Sequence, residues 1–246
     1  MSIIYIDGQY CKADTKAMEA FTPGVIKAKG VFETMLGLDG MALDIALHMK
    51  RLRQGLKVLK IAPPRIDRLI FNKVLTYNKL SSARLRLIVW QAGKKAHVMV
   101  GAVPYKEPDK KIYRVCCIKT SRTAHDRLAN VKSLDYAMFL ECYRYARAKG
   151  YDEALLLNRN GHIFEASRAN IFWMKNKVLF TPPLSSGCLN GITRQQIIQH
   201  ARRFKILLKT RNLTPEILKD ADAAFLTNSL IGIKPIEIKE IKIASQ

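Results

Sequence analysis

Short apolar runs broken by Asp-Gly pairs dominate the opening of the chain. Residues 3–10 read as a strand that ends in a turn at Asp7-Gly8. Residues 30–38 read as a second strand closed by Asp39-Gly40, a dipeptide suited to a tight hairpin. The period then changes. Across residues 43–59, Leu47, Leu52, Leu56 and Leu59 recur at helical spacing with Lys50, Arg51 and Arg53 between them, until Pro63-Pro64 stops the pattern. A further helix is expected over residues 66–80, and residues 84–90 and 97–103 read as the two strands of a hairpin about Ala92-Gly93.

A polar stretch twice interrupted by proline, Pro104-Tyr105-Lys106-Glu107-Pro108-Asp109, marks the expected domain junction. This gives a domain over residues 1–104, a linker over 105–111 and a second domain over 112–246. In the second domain the pattern predicts a strand over 112–119, a polar loop over 120–130 and a helix over 134–149. That helix carries Leu134, Met138, Cys142 and Tyr145 on one face and ends at Gly150. Strands over 153–157, 170–174 and 178–180 follow. A last clear helix covers 193–204, striped by Ile197, Ile198, Ala201 and Phe204. The fold class is α/β or α+β, with two domains and mixed sheets.

Composition sharpens only part of this picture. Hydrophobic residues make up 48% and charged residues 25% of the 246, which suits a folded globular chain. No apolar run approaches the ~18 residues of a membrane span, and the first residues lack a basic, apolar leader. A cytoplasmic protein off the membrane is expected. Five cysteines without a C-x-x-C pair give neither a disulfide framework nor a metal site. Charge is the outlier. Lys and Arg number 42 against 20 Asp and Glu, a net +22, which favours anionic partners. The basic residues are spread along the chain and no nucleic-acid motif accompanies them. Solvated surface ranks first, steering of a small anionic substrate second and nucleic-acid binding last.

Four features could carry chemistry. Lys132 stands after the polar loop, although most such lysines are surface charges. Glu165 closes Gly161-His162-Ile163-Phe164-Glu165, where most glutamates cap a turn. Gly191-Ile192-Thr193-Arg194 opens a helix, whose free N–H groups and dipole make a phosphate seat, although many threonines there only cap. Thr227-Asn228-Ser229 offers hydroxyl and amide groups at the end of an apolar strand, or simply a turn.

Their order changes the weighting. Gly30-Val31-Phe32-Glu33-Thr34, His48-Met49-Lys50-Arg51-Leu52, Val131-Lys132-Ser133-Leu134-Asp135-Tyr136 and Tyr151-Asp152-Glu153-Ala154 come first. Glu165-Ala166-Ser167-Arg168-Ala169-Asn170-Ile171-Phe172, Thr181-Pro182-Pro183-Leu184 and Leu189-Asn190-Gly191-Ile192-Thr193-Arg194 follow. This succession resembles the fold-type IV pyridoxal-phosphate enzymes, the class IV aminotransferases, which include branched-chain and D-amino acid aminotransferases and aminodeoxychorismate lyase.

The resemblance implies a small N-terminal α/β domain and a larger C-terminal mixed-sheet pseudobarrel that binds pyridoxal 5'-phosphate. It implies that Lys132 carries the cofactor as a Schiff base and that Glu165 pairs with the pyridine nitrogen. Arg51, the N–H groups of Ile192 and Thr193, and Ser229 would hold the phosphate, and Tyr136 would meet the phenolic oxygen. It also implies a homodimer. Arg168, three positions after Glu165, is a guess for a substrate carboxylate.

Phe32-Glu33-Thr34, Thr227-Asn228-Ser229-Leu230 leading to Pro235-Ile236, and the basic charge lean the reading towards the lyase, which converts 4-amino-4-deoxychorismate to 4-aminobenzoate and pyruvate. An aminotransferase for D- or branched-chain amino acids is the alternative, using the same cofactor residues. A non-catalytic anion- or nucleic-acid-binding protein on this fold is the third; salt-dependent binding that survives Lys132→Ala would favour it. Lys29-Gly30 and Trp90-Gln91-Ala92-Gly93 depart from the family's usual pattern on the substrate side.

Overall fold

The computed structural model describes residues 2–13, 29–123 and 126–238, together with the backbone of residues 243 and 244. Two compact units are present. The first gathers Met1–Glu107 with Val131–Asp135, and the second gathers Pro108–Asn130 with Tyr136–Gln246. The division between Glu107 and Pro108 lies inside the linker read from the sequence. The return of five residues to the first unit was not foreseen.

The first unit is built on a six-stranded antiparallel sheet of order β2-β1-β6-β5-β3-β4. Its strands are β1 (Ile3–Ile6), β2 (Gln9–Lys12), β3 (Gly30–Leu38), β4 (Met41–Ala42), β5 (Ser82–Ala92) and β6 (Lys95–Pro104). The single strand expected over residues 3–10 is a hairpin instead. Asp7 and Gly8 both have positive φ, 45° and 105°, which reverses the chain tightly at that point. Alternate residues of the long strands, among them Val31, Met35, Leu85, Leu87, Val89 and Val100, turn to one face. There they pack on helices α1 (Ile45–Val58) and α2 (Leu69–Tyr77).

Helix α1 differs from its sequence pattern in which residues it buries. Leu52 and Leu56 face inward as expected, but so do His48 and Arg51. Helix α2 starts three residues later than expected; Asp67 accepts a hydrogen bond from the Leu69 N–H there.

The second unit holds a nine-stranded mixed sheet of order β12-β11-β10-β13-β14-β7-β8-β9, with β15 (Ile243–Ala244) beside β7 (Tyr113–Lys119). The other strands are β8 (Glu153–Leu157), β9 (Ile163–Ala166), β10 (Asn170–Lys175), β11 (Val178–Thr181), β12 (Leu208–Thr210), β13 (Ala223–Asn228) and β14 (Gly232–Glu237). Strands β7 and β8 are parallel, so a crossover must join them, and helix α3 (Ala137–Ala148) is part of it. Its Phe139, Cys142 and Ala146 pack on Cys116, Ile118, Ala154 and Leu156. Strand β8 is buried along its whole length, as befits a strand covered on both faces.

Helix α3 begins at Ala137 rather than at residue 134, because Leu134 is drawn into the first unit. Gly150, with φ +80°, ends its region as expected. Helix α4 (Ile192–Arg203) buries Ala201, whereas Phe204, expected in its stripe, is exposed. Helix α5 (Pro215–Lys219) is capped by the Thr214 side chain. All five cysteines are free thiols, and burial pushes Cys116, Cys117 and Cys188 up to about 11, 12 and 12. No helix among the described residues is long and apolar enough to cross a membrane.

Candidate cofactor and substrate site

Lys132 is held by backbone pairing. The Phe32 N–H donates to the Lys132 carbonyl and the Leu134 N–H to the Gly30 carbonyl, both at 2.9 Å, and Val31 bridges Ser133. The segment Val131–Asp135 therefore lies antiparallel against the start of β3. Gly30 permits this approach: a Cβ there would sit 2.5 Å from the Val89 carbonyl oxygen and 2.6 Å from Leu134 Cδ1. Lys132 Nζ consequently rests 4.4 Å from the centroid of the Phe32 ring. Arg86, on β5, places its guanidinium 4.9 Å from the same ring. Two cations thus share one aromatic residue. The sequence reading missed Arg86; its alternation with buried Leu85 and Leu87 was the available signal that it faces outward.

Arg51 lies in a buried cluster of the first unit. Its Nε donates to Glu33 at 2.8 Å, its Nη2 donates to the second oxygen of Glu33, and His48 Nδ1 lies 2.7 Å from that oxygen. Burial pulls the Glu33 carboxyl up, yet the Arg51 charge, the Arg51 and His48 hydrogen bonds and the His48 charge together hold it below the ordinary value. Arg51 is thus oriented by a carboxylate, as an arginine with a planar task requires.

In the second unit, Glu165 is buried on β9 and accepts a hydrogen bond from the Leu189 N–H at 3.1 Å. Asn170 Nδ2 donates to the Leu189 carbonyl at 2.8 Å. The chain entering helix α4 is therefore pinned at both polar groups of one residue. Gly191 precedes the helix, and no side chain caps it. Its first N–H groups, those of Ile192 and Thr193, have no partner within a helix by construction. A Cβ on Gly191 would collide with Asn170 Oδ1, so any larger residue there must push the Asn170 amide aside.

Ser229 follows β13 on a turn shaped by Asn228. The Asn228 side chain accepts from the Leu230 and Ile231 N–H groups at 2.8 and 3.0 Å and donates to the Arg168 carbonyl at 3.0 Å. The neighbouring Thr227 hydroxyl is buried without a hydrogen-bond partner.

Tyr136 stacks on Phe139 with ring centroids 4.9 Å apart and donates its hydroxyl to the Ser167 carbonyl at 2.6 Å. Ser167 in turn hydrogen-bonds the buried Glu153 carboxylate. Burial raises the Glu153 carboxyl, and the Arg168 charge and the Ser167 hydrogen bond only partly oppose this. Arg168, the guess for a substrate ligand, is committed elsewhere. Its Nε donates to Glu153 at 3.2 Å and its guanidinium lies 3.4 Å from the Tyr143 ring centroid.

Lys132 and Arg51 thus belong to the first unit, and Tyr136, Glu165, Ile192, Thr193 and Ser229 to the second. Each unit carries groups that suit pyridoxal phosphate: in the second, an uncapped helix start and an orphaned buried hydroxyl suit its phosphate and a buried carboxylate suits a protonated ring nitrogen, and in the first, a half-buried lysine suits its aldehyde. No group of three or more metal-ligating side chains occurs among the described residues.

A family profile for amino-transferase class IV matches residues 30–238. The aminodeoxychorismate lyase of Bacillus subtilis (strain 168) is 29% identical over 263 residues, covering 99% of this chain and 89% of the lyase. The branched-chain-amino-acid aminotransferase of Escherichia coli (strain K12) is 29% identical over 257 residues, covering 95% of this chain and 83% of that enzyme. Among solved structures, the branched-chain aminotransferase of Thermoproteus uzoniensis with norvaline aligns at a TM-score of 0.84 and 26% identity, covering 98% of this chain and 87% of that one.

Proposed function

This chain belongs to the class IV aminotransferase family and is a pyridoxal-phosphate enzyme; from that premise we propose that it is a lyase converting 4-amino-4-deoxychorismate to 4-aminobenzoate and pyruvate. The observation that carries the reading is that Arg86 and Lys132 each lie against the Phe32 ring. The lyase substrate bears two carboxylates, and an exposed guanidinium against the same aromatic ring as Lys132 offers one of them a planar, permanently charged partner.

When bound, pyridoxal phosphate supplies an electron sink for the substrate carbon that loses a proton. Lys132, as a neutral amine, takes that proton from the carbon bearing the substrate's amino group. It returns the proton to the departing three-carbon group, whose methylene becomes the methyl of pyruvate. The ether C–O bond breaks and the remaining ring becomes aromatic. Glu165 would keep a proton on the cofactor's ring nitrogen, because a buried carboxylate favours a cation beside it. By the family resemblance, the Ile192 and Thr193 N–H groups, the Ser229 hydroxyl and Arg51 would hold the phosphate, and Tyr136 would meet the phenolic side of the ring. The substrate is a small anion and the assembly a homodimer, which light scattering on the purified protein tests.

Transamination is the second reading, favoured by the equal 29% identity to the Escherichia coli aminotransferase. The deciding experiment incubates the holoenzyme with 4-amino-4-deoxychorismate and, separately, with leucine or D-alanine plus 2-oxoglutarate. The lyase reading expects 4-aminobenzoate and pyruvate in equal amounts. It also expects Arg86→Ala to raise KM by about 10-fold or more, the worth of a hydrogen bond to a charged group. Turnover of an amino acid with no 4-aminobenzoate formed sinks the lyase reading.

A further inference from the structure

Helix α4 carries Arg194, Ile198 and Arg202 at four-residue spacing, which puts them on one face. With Leu184, Ile206 and Thr210 they line an open groove of about 450 Å³. That volume is typical of small-molecule sites, and so is the mixture of aliphatic walls with a few polar groups.

Arg194 is the informative residue. It is only 4% exposed. Its Nη2 donates to the Pro182 carbonyl at 3.0 Å and its Nη1 to Asn190 Oδ1 at 3.2 Å, while Nε has no hydrogen-bond partner. None of the ion pairs among the described residues includes Arg194. A guanidinium removed from water without a counter-charge is costly. Burial accordingly weakens its hold on the proton, opposed in part by the charges of Cys188 and Glu165, neither of which forms an ion pair with it. An anion reaching the groove removes that imbalance. Arg202 is exposed on the same face, and Ile206, at 52% exposure, offers apolar surface beside it.

We infer that this groove binds a small monocarboxylate with an apolar body, the acid group held by Arg194 and Arg202 and the body lying on Ile198, Ile206 and Leu184. The planar carboxylate matches the exposed guanidinium fork of Arg202, with Arg194 adding its charge, and the aliphatic walls select against a fully hydrated ion such as phosphate. The inference does not depend on the lyase reading, and nothing in the proposed chemistry uses these groove side chains.

The test is calorimetric titration of the holoenzyme with hexanoate, acetate, 1-hexanol and inorganic phosphate. Because Arg194 also holds Pro182 and Asn190, the variants sit at exposed positions: Arg202→Ala and Ile206→Asp, with Arg86→Ala to report on the substrate site. Hexanoate is expected to bind once per chain, about 10-fold or more tighter than acetate, from methylene burial. Hexanol and phosphate should bind at least about 10-fold more weakly than hexanoate, each lacking one of the two features. Arg202→Ala and Ile206→Asp should each weaken hexanoate by about 5-fold or more, and Arg86→Ala should leave it unchanged. Absence of hexanoate binding overturns the inference, as does acetate or phosphate binding as tightly. Loss of binding in Arg86→Ala but not in the groove variants also overturns it, by placing the ligand at the substrate site.

Discussion

Gly30→Ala probes how Lys132 is held. The added Cβ would lie 2.5 Å from the Val89 carbonyl oxygen, 2.6 Å from Leu134 Cδ1 and 3.0 Å from Trp90 Cα. The leucine methyl can swing aside at little cost. The other two atoms belong to the β5 backbone, paired to β3 from Gly30↔Trp90 through Leu38↔Ser82. The backbone must therefore part, an overpacking strain of about 1–3 kcal/mol. Two hydrogen bonds that seat Val131–Asp135 are strained with it, each worth about 0.5–1.5 kcal/mol. The first unit should lose about 2–6 kcal/mol, and Lys132 its fixed place over Phe32. Urea unfolding followed by Trp90 fluorescence in a Trp173→Phe background isolates that unit, since the chain has only two tryptophans. Adding Leu134→Ala should restore only the side-chain share of the loss. A destabilisation under about 1 kcal/mol, with unaltered borohydride trapping of cofactor on Lys132, would refute the account of how the lysine is positioned.

Two further perturbations test the neighbouring features. Glu33→Gln keeps the shape but strips Arg51 of its charge partner, and should cost about 3–5 kcal/mol at neutral pH. Because the folded Glu33 carboxyl lies below its ordinary value of 4.5, its contribution is complete above that pH and disappears as pH falls towards the lower folded value. The variant's stability should therefore fall less steeply in acid than that of the parent, and parallel acid limbs in denaturation curves would contradict this. Gly191→Ala forces Asn170 off the Leu189 carbonyl and should weaken pyridoxal-phosphate affinity about 10-fold or more through the disturbed helix start; unchanged affinity in an absorbance titration would mean that the phosphate is seated elsewhere.

The parts of the molecule that were legible in the sequence depend on local chemistry. The Asp39-Gly40 turn, the helix that ends before Gly150 and the helix opened by Gly191 each declare themselves within a few residues. What was not legible depends on partners far along the chain. Arg51 and His48 look like the polar face of an amphipathic helix, and only Glu33 on the adjacent strand turns them inward. Residues 134–136 continue a helical pattern, yet Leu134 is bound to Gly30 across a hundred residues of sequence. Arg86 reads as an ordinary outward strand residue until β3 brings Phe32 alongside it. The family's motif order supplied Lys132 and Glu165, whereas the bond of Asn170 to the Leu189 carbonyl and that of Ser167 to Glu153 emerge only from the folded chain.

Synthesis order gives the return of Val131–Asp135 a cost of its own. When residue 107 has been made, the first unit still lacks its last piece, and at ~5–20 residues per second the gap persists for a few seconds. During that interval the Phe32 N–H and the Gly30 carbonyl are an open strand edge, the kind of surface on which nascent chains pair wrongly. The five residues that close this edge are the ones that carry Lys132. A chain interrupted before residue 131 therefore lacks Lys132 and keeps this stretch of β3 unpaired at the Phe32 N–H and Gly30 carbonyl.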